Sequence, residues 1–152
     1  MSISRRDMFS ILPAALAAGA VPPDLFKMGD GKAESNSLPS GIFLFDKLDV
    51  HSSAGSQFRA ILKGKLATGE AIEVHETTLA PGGAPHPPHR HEHTEMWLIR
   101  EGTVEITIEN KAHRLSSGSL AMVRSNEEHG ITNPGDKPAN YFVVAVGPGS
   151  DK

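Results

Sequence analysis

Between Gly83 and Gly102 the chain reads GAPHPPHRHEHTEMWLIREG, a crowding of side chains that can bind a first-row metal. His89 and His91 stand two apart and Glu95 four further on, so in an extended strand all three share one face. Two imidazoles and a carboxylate on one face form most of a site for a divalent transition ion. A fourth ligand must come from elsewhere, and His129 is the candidate.

Composition limits what else can bind metal. The chain of 152 residues has no cysteine, which excludes disulfides, thiolate sites and a cysteine nucleophile. It has eight histidines, so His and carboxylate ligands are available. Net charge is −3 with no basic stripe, which argues against nucleic acid as a partner. Length suits one domain with a real core, and 15 Gly and 11 Pro suit a turn-rich all-β domain.

The elements that must position these residues follow in chain order. Met1 to Ala20 has paired Arg5 and Arg6, a weakly apolar run and a small-residue end at Ala18-Gly19-Ala20. It resembles a twin-arginine export signal with cleavage after Ala20, which implies a periplasmic or otherwise exported protein. The run is too short, and too interrupted by Pro13, to span a bilayer. Twin-arginine substrates cross folded, so the expected metal is Mn or Fe loaded before export. Residues 21–40 read as a flexible Pro/Gly/Ser-rich linker, 41–147 as the domain and 148–152 as a tail.

Within the domain, strands are expected over Ile42 to Phe45, Gln57 to Leu62, Glu70 to Leu79 and Met96 to Arg100. Thr103 to Glu109 alternates, with Val104, Ile106 and Ile108 facing inward. Asn110-Lys111 reads as a hairpin turn into Ala112 to Leu115. Leu120 to Val123 reads as a short buried strand, followed by His129 to Thr132. Tyr141 to Val146 (YFVVAV) is apolar on both faces, as a strand covered on both sides would be. Some eight to ten short strands give an all-β sandwich or barrel.

The spacing Gly83-x5-His89-x-His91-x3-Glu95-x6-Gly102 resembles the first cupin motif at each fixed position. Gly118-x5-Arg124-x-Asn126-x2-His129-x3-Asn133 resembles the second, except that Arg124 and Asn126 replace the usual Pro and Gly. The resemblance covers about residues 41–147 and implies a single-domain cupin jelly roll with His89, His91, Glu95 and His129 as ligands. Asn126 tolerates the left-handed backbone a tight turn needs. Arg124 reads either as a surface charge or as a cationic anchor for an anionic ligand.

Three imidazoles and a carboxylate suit Mn, Fe, Co, Ni, Cu or Zn, and loading before export favours Mn or Fe among them. Such a site leaves open positions for Lewis-acid or O₂ activation of a small oxygenated molecule. The resemblance accordingly implies a metal-dependent oxygenase, lyase or isomerase; the alternative is a non-catalytic periplasmic binding module. Candidate proton carriers are Glu95 itself, His75 and His93, and Trp97 is a candidate pocket wall. His86 reads as an entrance residue, His51 and His113 as surface. The apolar YFVVAV and IFLF segments point to a homodimer.

Overall fold

The structure is a computed structural model, and it describes residues 36–53 and 55–152. The export-signal reading of residues 1–20, and the linker reading as far as residue 35, lie outside the described residues. Nine strands form two antiparallel sheets. The larger sheet holds β1 (His51–Ser53), β2 (Ser56–Lys65), β3 (Ala71–Leu79), β9 (Ala139–Val146), β4 (Thr94–Glu101) and β7 (Leu120–Val123), in that spatial order. The smaller holds β6 (Lys111–Ser116), β5 (Thr103–Ile108) and β8 (His129–Thr132). No α-helix occurs among the described residues. The all-β jelly-roll expectation is met.

Period-2 patterning builds the core between the sheets. In the larger sheet Tyr141, Val143 and Ala145 of β9 stand beside Ile99, Trp97 and Glu95 of β4. On the other flank they stand beside Thr77, His75 and Glu73 of β3. Opposite them Val104 and Ile106 of β5 and Ile131 of β8 complete the buried cluster. The alternation read from Thr103 to Glu109 holds, with Val104 and Ile106 fully buried. The β5–β6 hairpin turns at Glu109 and Asn110, both in the left-handed region with φ of 45° and 62°. That is the two-residue turn whose twist suits a hairpin.

Two of the four connections that switch the chain between sheets are tight corners. Gly102, with φ of 79°, joins β4 to β5; a Cβ there would lie 2.8 Å from the Pro138 carbonyl oxygen. Asn133 closes the other corner after β8 and is almost wholly buried. Its Nδ2 donates to the carbonyls of Leu79, Ala80 and Lys137 at 3.1, 3.2 and 2.8 Å, and its Oδ1 accepts from Gly135 N at 2.9 Å. Its own backbone pairs with Gly82 and Gly83, both at 2.9 Å.

Three local expectations need correction. Ile42 to Phe45 is not a strand: it leads into a single 3₁₀ turn, Phe45–Lys47, and its side chains are exposed. No neighbouring strand hydrogen-bonds there; instead the Phe45 ring lies between the guanidinium groups of Arg59 and Arg100, 4.6 and 4.8 Å from its centroid. The β7 strand is not buried. It is an edge strand, and Leu120 and Met122 face outward, 58% and 53% exposed. The β9 strand is central, between β3 and β4, but only one face is fully covered: Phe142, Val144 and Val146 remain half-buried. Within the stretch read as linker, Leu38 N donates to Lys65 O at 2.7 Å.

Replacing Asn133 by Ala removes four hydrogen bonds of a buried side chain, those to the carbonyls of Leu79, Ala80 and Lys137 and the one from Gly135 N. Asn133→Ala is expected to lose roughly 2–4 kcal/mol of stability, read as a fall in the urea midpoint at unchanged slope. A loss within measurement error would show that the corner does not depend on this side chain.

Candidate metal centre

The three ligand candidates of the first motif do not share a strand. β4 begins only at Thr94, so Glu95 is a strand residue whereas His89 and His91 precede it. His89 is held by an isolated antiparallel bridge to His129, with His89 N donating to His129 O at 2.9 Å and His129 N to His89 O at 3.0 Å. The segment before it runs close beside β8. A Cβ at position 130 would approach Pro88 Cγ to 3.1 Å, so Gly130 gives the Pro87-Pro88 segment its room. His91 is fixed by the Asn126 turn, where Asn126 N donates to His91 O at 2.7 Å and Asn126 takes φ of 63°. The left-handed Asn expected there is present.

Convergence is nevertheless achieved. One ring nitrogen from each of His89, His91 and His129 lies within 4.8 Å of the other two, and such a group could hold a metal ion. A second group of the same kind joins His91, His93 and Glu95. Glu95 links the two: its Oε2 lies 2.8 Å from His91 Nε2, 3.9 Å from His129 Nε2 and 4.0 Å from His93 Nε2. His93, a candidate proton carrier, therefore lies beside the carboxylate and His91. Its ring stacks on that of His91, centroids 3.6 Å apart.

Hydrogen bonding shows what this cluster is fit to hold. His91 Nδ1 sits 2.9 Å from the His93 carbonyl and His129 Nδ1 2.8 Å from the Glu127 carbonyl. A carbonyl only accepts, so each Nδ1 carries a proton and Nε2 is the nitrogen turned toward the cluster. His129 Nε2 and His89 Nδ1 are buried without a hydrogen-bond partner. An ionised Glu95 adds another acceptor beside His91. His91 and Glu95 thus pair with each other while His129 Nε2 and His89 Nδ1 have no partner, an arrangement that a bound cation would satisfy.

The cluster opens onto a cavity of about 320 Å³ between the sheets. Trp97 walls it, as expected, its ring 5.5 Å from that of His129. His75 also lines it, with Glu73 Oε1 3.2 Å from its Nδ1, close enough to pair but without hydrogen-bond alignment. His86 lies exposed at the mouth, its ring edge-on to His89. His51 and His113 are exposed. Arg124 is not brought to the cavity: its side chain is 77% exposed and ion-paired with Glu127 three residues on. Local charge complementarity in the 124–127 turn captures it, which the motif spacing did not reveal. Sequence reading missed Glu73, although its parity with His75 in β3 was available as a signal. It also missed the hydroxyls of Ser53 and Ser56, which line the cavity from the short strand β1 and the start of β2.

Burial holds His75, His89 and His93 below the ordinary histidine range, and for His89 the neighbouring imidazoles add to the effect. All three are therefore neutral at pH 7. An unfolded chain takes up protons at these rings near pH 6.5 while the folded chain resists, so their stabilising contribution is complete above about 6.5 and is lost as pH falls toward the folded values. The chelator-treated protein is expected to show a falling urea midpoint from about pH 7.5 to 5.5. A midpoint that is flat or rises toward acid would contradict buried neutral rings.

Residues 75–145 match the family described as Cupin domain. Among curated proteins, a mannose-1-phosphate guanylyltransferase of Klebsiella pneumoniae is 30% identical over 76 residues, which span 50% of this chain and 16% of that enzyme. An L-ectoine synthase of Bordetella petrii is 27% identical over 97 residues, 63% of this chain and 70% of that protein. Among solved structures, KdgF from Halomonas sp. superposes with a TM-score of 0.61 at 17% identity, covering 70% of this chain and 94% of that one. The polyketide cyclase RemF from Streptomyces resistomycificus gives 0.59 at 15%, covering 71% and 80%. The histidine cluster lies within the stretch that resembles a cupin domain, and the cavity lining extends beyond it to Ser53, Ser56 and Phe58.

Proposed function

We propose that this chain is a metal-dependent enzyme of oxygenase, lyase or isomerase type acting on a small oxygenated molecule. His89, His91, Glu95 and His129 are its metal ligands, with Mn or Fe as the ion. The observation that carries the reading is the convergence of His91 Nε2, His129 Nε2 and Glu95 Oε2, with His129 Nε2 buried and without a hydrogen-bond partner. Enzymes among the structures and sequences of similar fold, such as the polyketide cyclase and the ectoine synthase, add support.

Bound there, the ion supplies Lewis-acid polarisation of a substrate oxygen or a place for O₂. The side chains do the rest. The carbonyls of His93 and Glu127 hold two imidazoles in one tautomer and one orientation. Trp97, Val143 and Ile131 keep the cavity floor apolar, which strengthens electrostatic contacts made inside it. His75, neutral and in the wall, is placed to accept a proton from a ligand in the cavity, and Glu73 beside its Nδ1 favours the protonated ring. A proton carrier apart from the four ligands favours an enzyme over a binding module.

Export and pairing belong to the same reading. The twin-arginine-like start supports a periplasmic protein that folds around its ion first. The outer face of the larger sheet supports a homodimer: Leu98 pairs with Leu120 and Met96 with Met122 across β4 and β7, and Leu98, Leu120 and Met122 are exposed. Light scattering at micromolar concentration is expected to give twice the chain mass, reduced toward one by Leu120→Glu with Met122→Glu. A monomeric parent protein would end that part of the reading.

Elemental analysis of protein from the periplasmic fraction of its own organism is expected to find about one Mn or Fe per chain, as loading before export would give. His129→Ala and His91→Ala should each weaken metal binding by roughly a hundredfold or more while circular dichroism stays that of the parent. Stoichiometric metal with no turnover in an oxygen-uptake and product screen would favour the binding module. A folded protein that takes up no transition ion would overturn the metal reading.

A further inference from the structure

The cavity has an uneven charge distribution for a chamber that receives oxygenated molecules. Among the described residues that line it there is no lysine or arginine, and Glu95 is the only carboxylate; Ser53 and Ser56, His75 and His86, and the aromatic residues Phe58 and Trp97 are among the others. The nearby guanidinium groups are spent elsewhere. Arg59 reaches the buried Glu76 at 2.8 Å, Arg90 reaches Glu109 at 2.7 Å, and Arg124 is paired with Glu127.

Charge counting then limits the guest. On the reading of the site as a metal centre, a divalent ion and the Glu95 carboxylate leave one net positive charge. One anionic oxygen is matched; a second would sit in the cavity unpaired, which is costly. A phosphate monoester or dicarboxylate needs a bidentate cation of the arginine kind, and none lines this wall. Size adds a second limit. About 320 Å³ is the space of about ten waters at liquid density, so the ligand has about that many non-hydrogen atoms.

We propose that this cavity takes a small hydroxy- or oxo-compound, uncharged or singly charged, with a flat apolar body. Its oxygens face the histidine cluster, its body lies against Phe58 and Trp97, and its far edge meets Ser53 and Ser56. Phosphorylated and doubly charged molecules are rejected. The lining thus sets the class of substrate for the proposed enzyme, and the single charge allowance rests on that proposal.

The test uses the full chain, loaded with Zn²⁺ and separately chelator-treated, with zinc measured on each sample. Trp97 is the only tryptophan, so its indole N–H gives one NMR resonance at the cavity wall. Catechol, salicylate and phenyl phosphate serve as neutral, singly and doubly charged probes. In the zinc form catechol and salicylate are expected to shift that resonance saturably, with phenyl phosphate at least about tenfold weaker, the cost of one unmatched charge. Ser56→Arg is expected to bring phenyl phosphate up to the affinity of salicylate, because it adds the missing cation. Phenyl phosphate binding the parent as well as salicylate does, or no probe shifting the resonance, would overturn the proposal. If zinc fails to bind, the metal reading falls by itself. The chelator-treated protein then still reports the lining, and catechol must rank ahead of both anions there for the neutral-ligand assignment to stand.

Discussion

Two reciprocal backbone hydrogen bonds between His89 and His129 hold the rest of the centre together. They join the segment that leads into β4 of the larger sheet to the first residue of β8 in the smaller one, where imidazoles of that segment and of β8 meet. The side chains could not converge without that bridge, since His89 belongs to no strand of its own. Gly130 and Asn126 serve the same end from either side. One leaves room for the Pro87-Pro88 segment, and the other turns the chain so that its amide can hold the carbonyl of His91. Fold and site are therefore built by the same few contacts.

The cluster itself works against the fold. Unpartnered ring nitrogens of His89 and His129 are packed beside a carboxylate, and burial keeps at least three rings from taking up protons that would relieve the crowding. Natural proteins carry such local cost at functional sites and offset it in the surrounding structure. Here the offset lies in the continuous buried cluster running from Leu79 through Trp97 and Ile106 to Tyr141, and in the Asn133 corner. The same carbonyls that fix the imidazole tautomers also restrict which nitrogen meets a ligand.

Much of this was legible in the chain. Alternation in Thr103 to Ile108 gave its inward face because β residues repeat every two, and turn chemistry at Asn110 and Asn126 matched the backbone found. The four ligand candidates were identified by spacing, though the reason offered for the first three was incomplete: equal parity on one strand does not describe residues that a loop and a bridge bring together. Ile42 to Phe45 was misread because apolar composition cannot distinguish a strand from a segment held by an aromatic ring between two guanidinium groups. Leu120 to Val123 was misread as buried because hydrophobicity does not say whether another layer covers a sheet's outer face. Glu73 and Arg124 show the converse, since what a charged side chain pairs with depends on neighbours that spacing alone does not fix.

The indole of Trp97 stands edge-on to the ring of His129, 5.5 Å between centroids, and no other residue of its kind competes with its emission. An ion with unpaired electrons held by that imidazole would quench the fluorescence, whereas a closed-shell ion such as zinc would leave it bright. On the metal reading the molecule would thus carry an optical gauge of whether its ion is open-shell or closed-shell, readable in a cuvette without removing the ion.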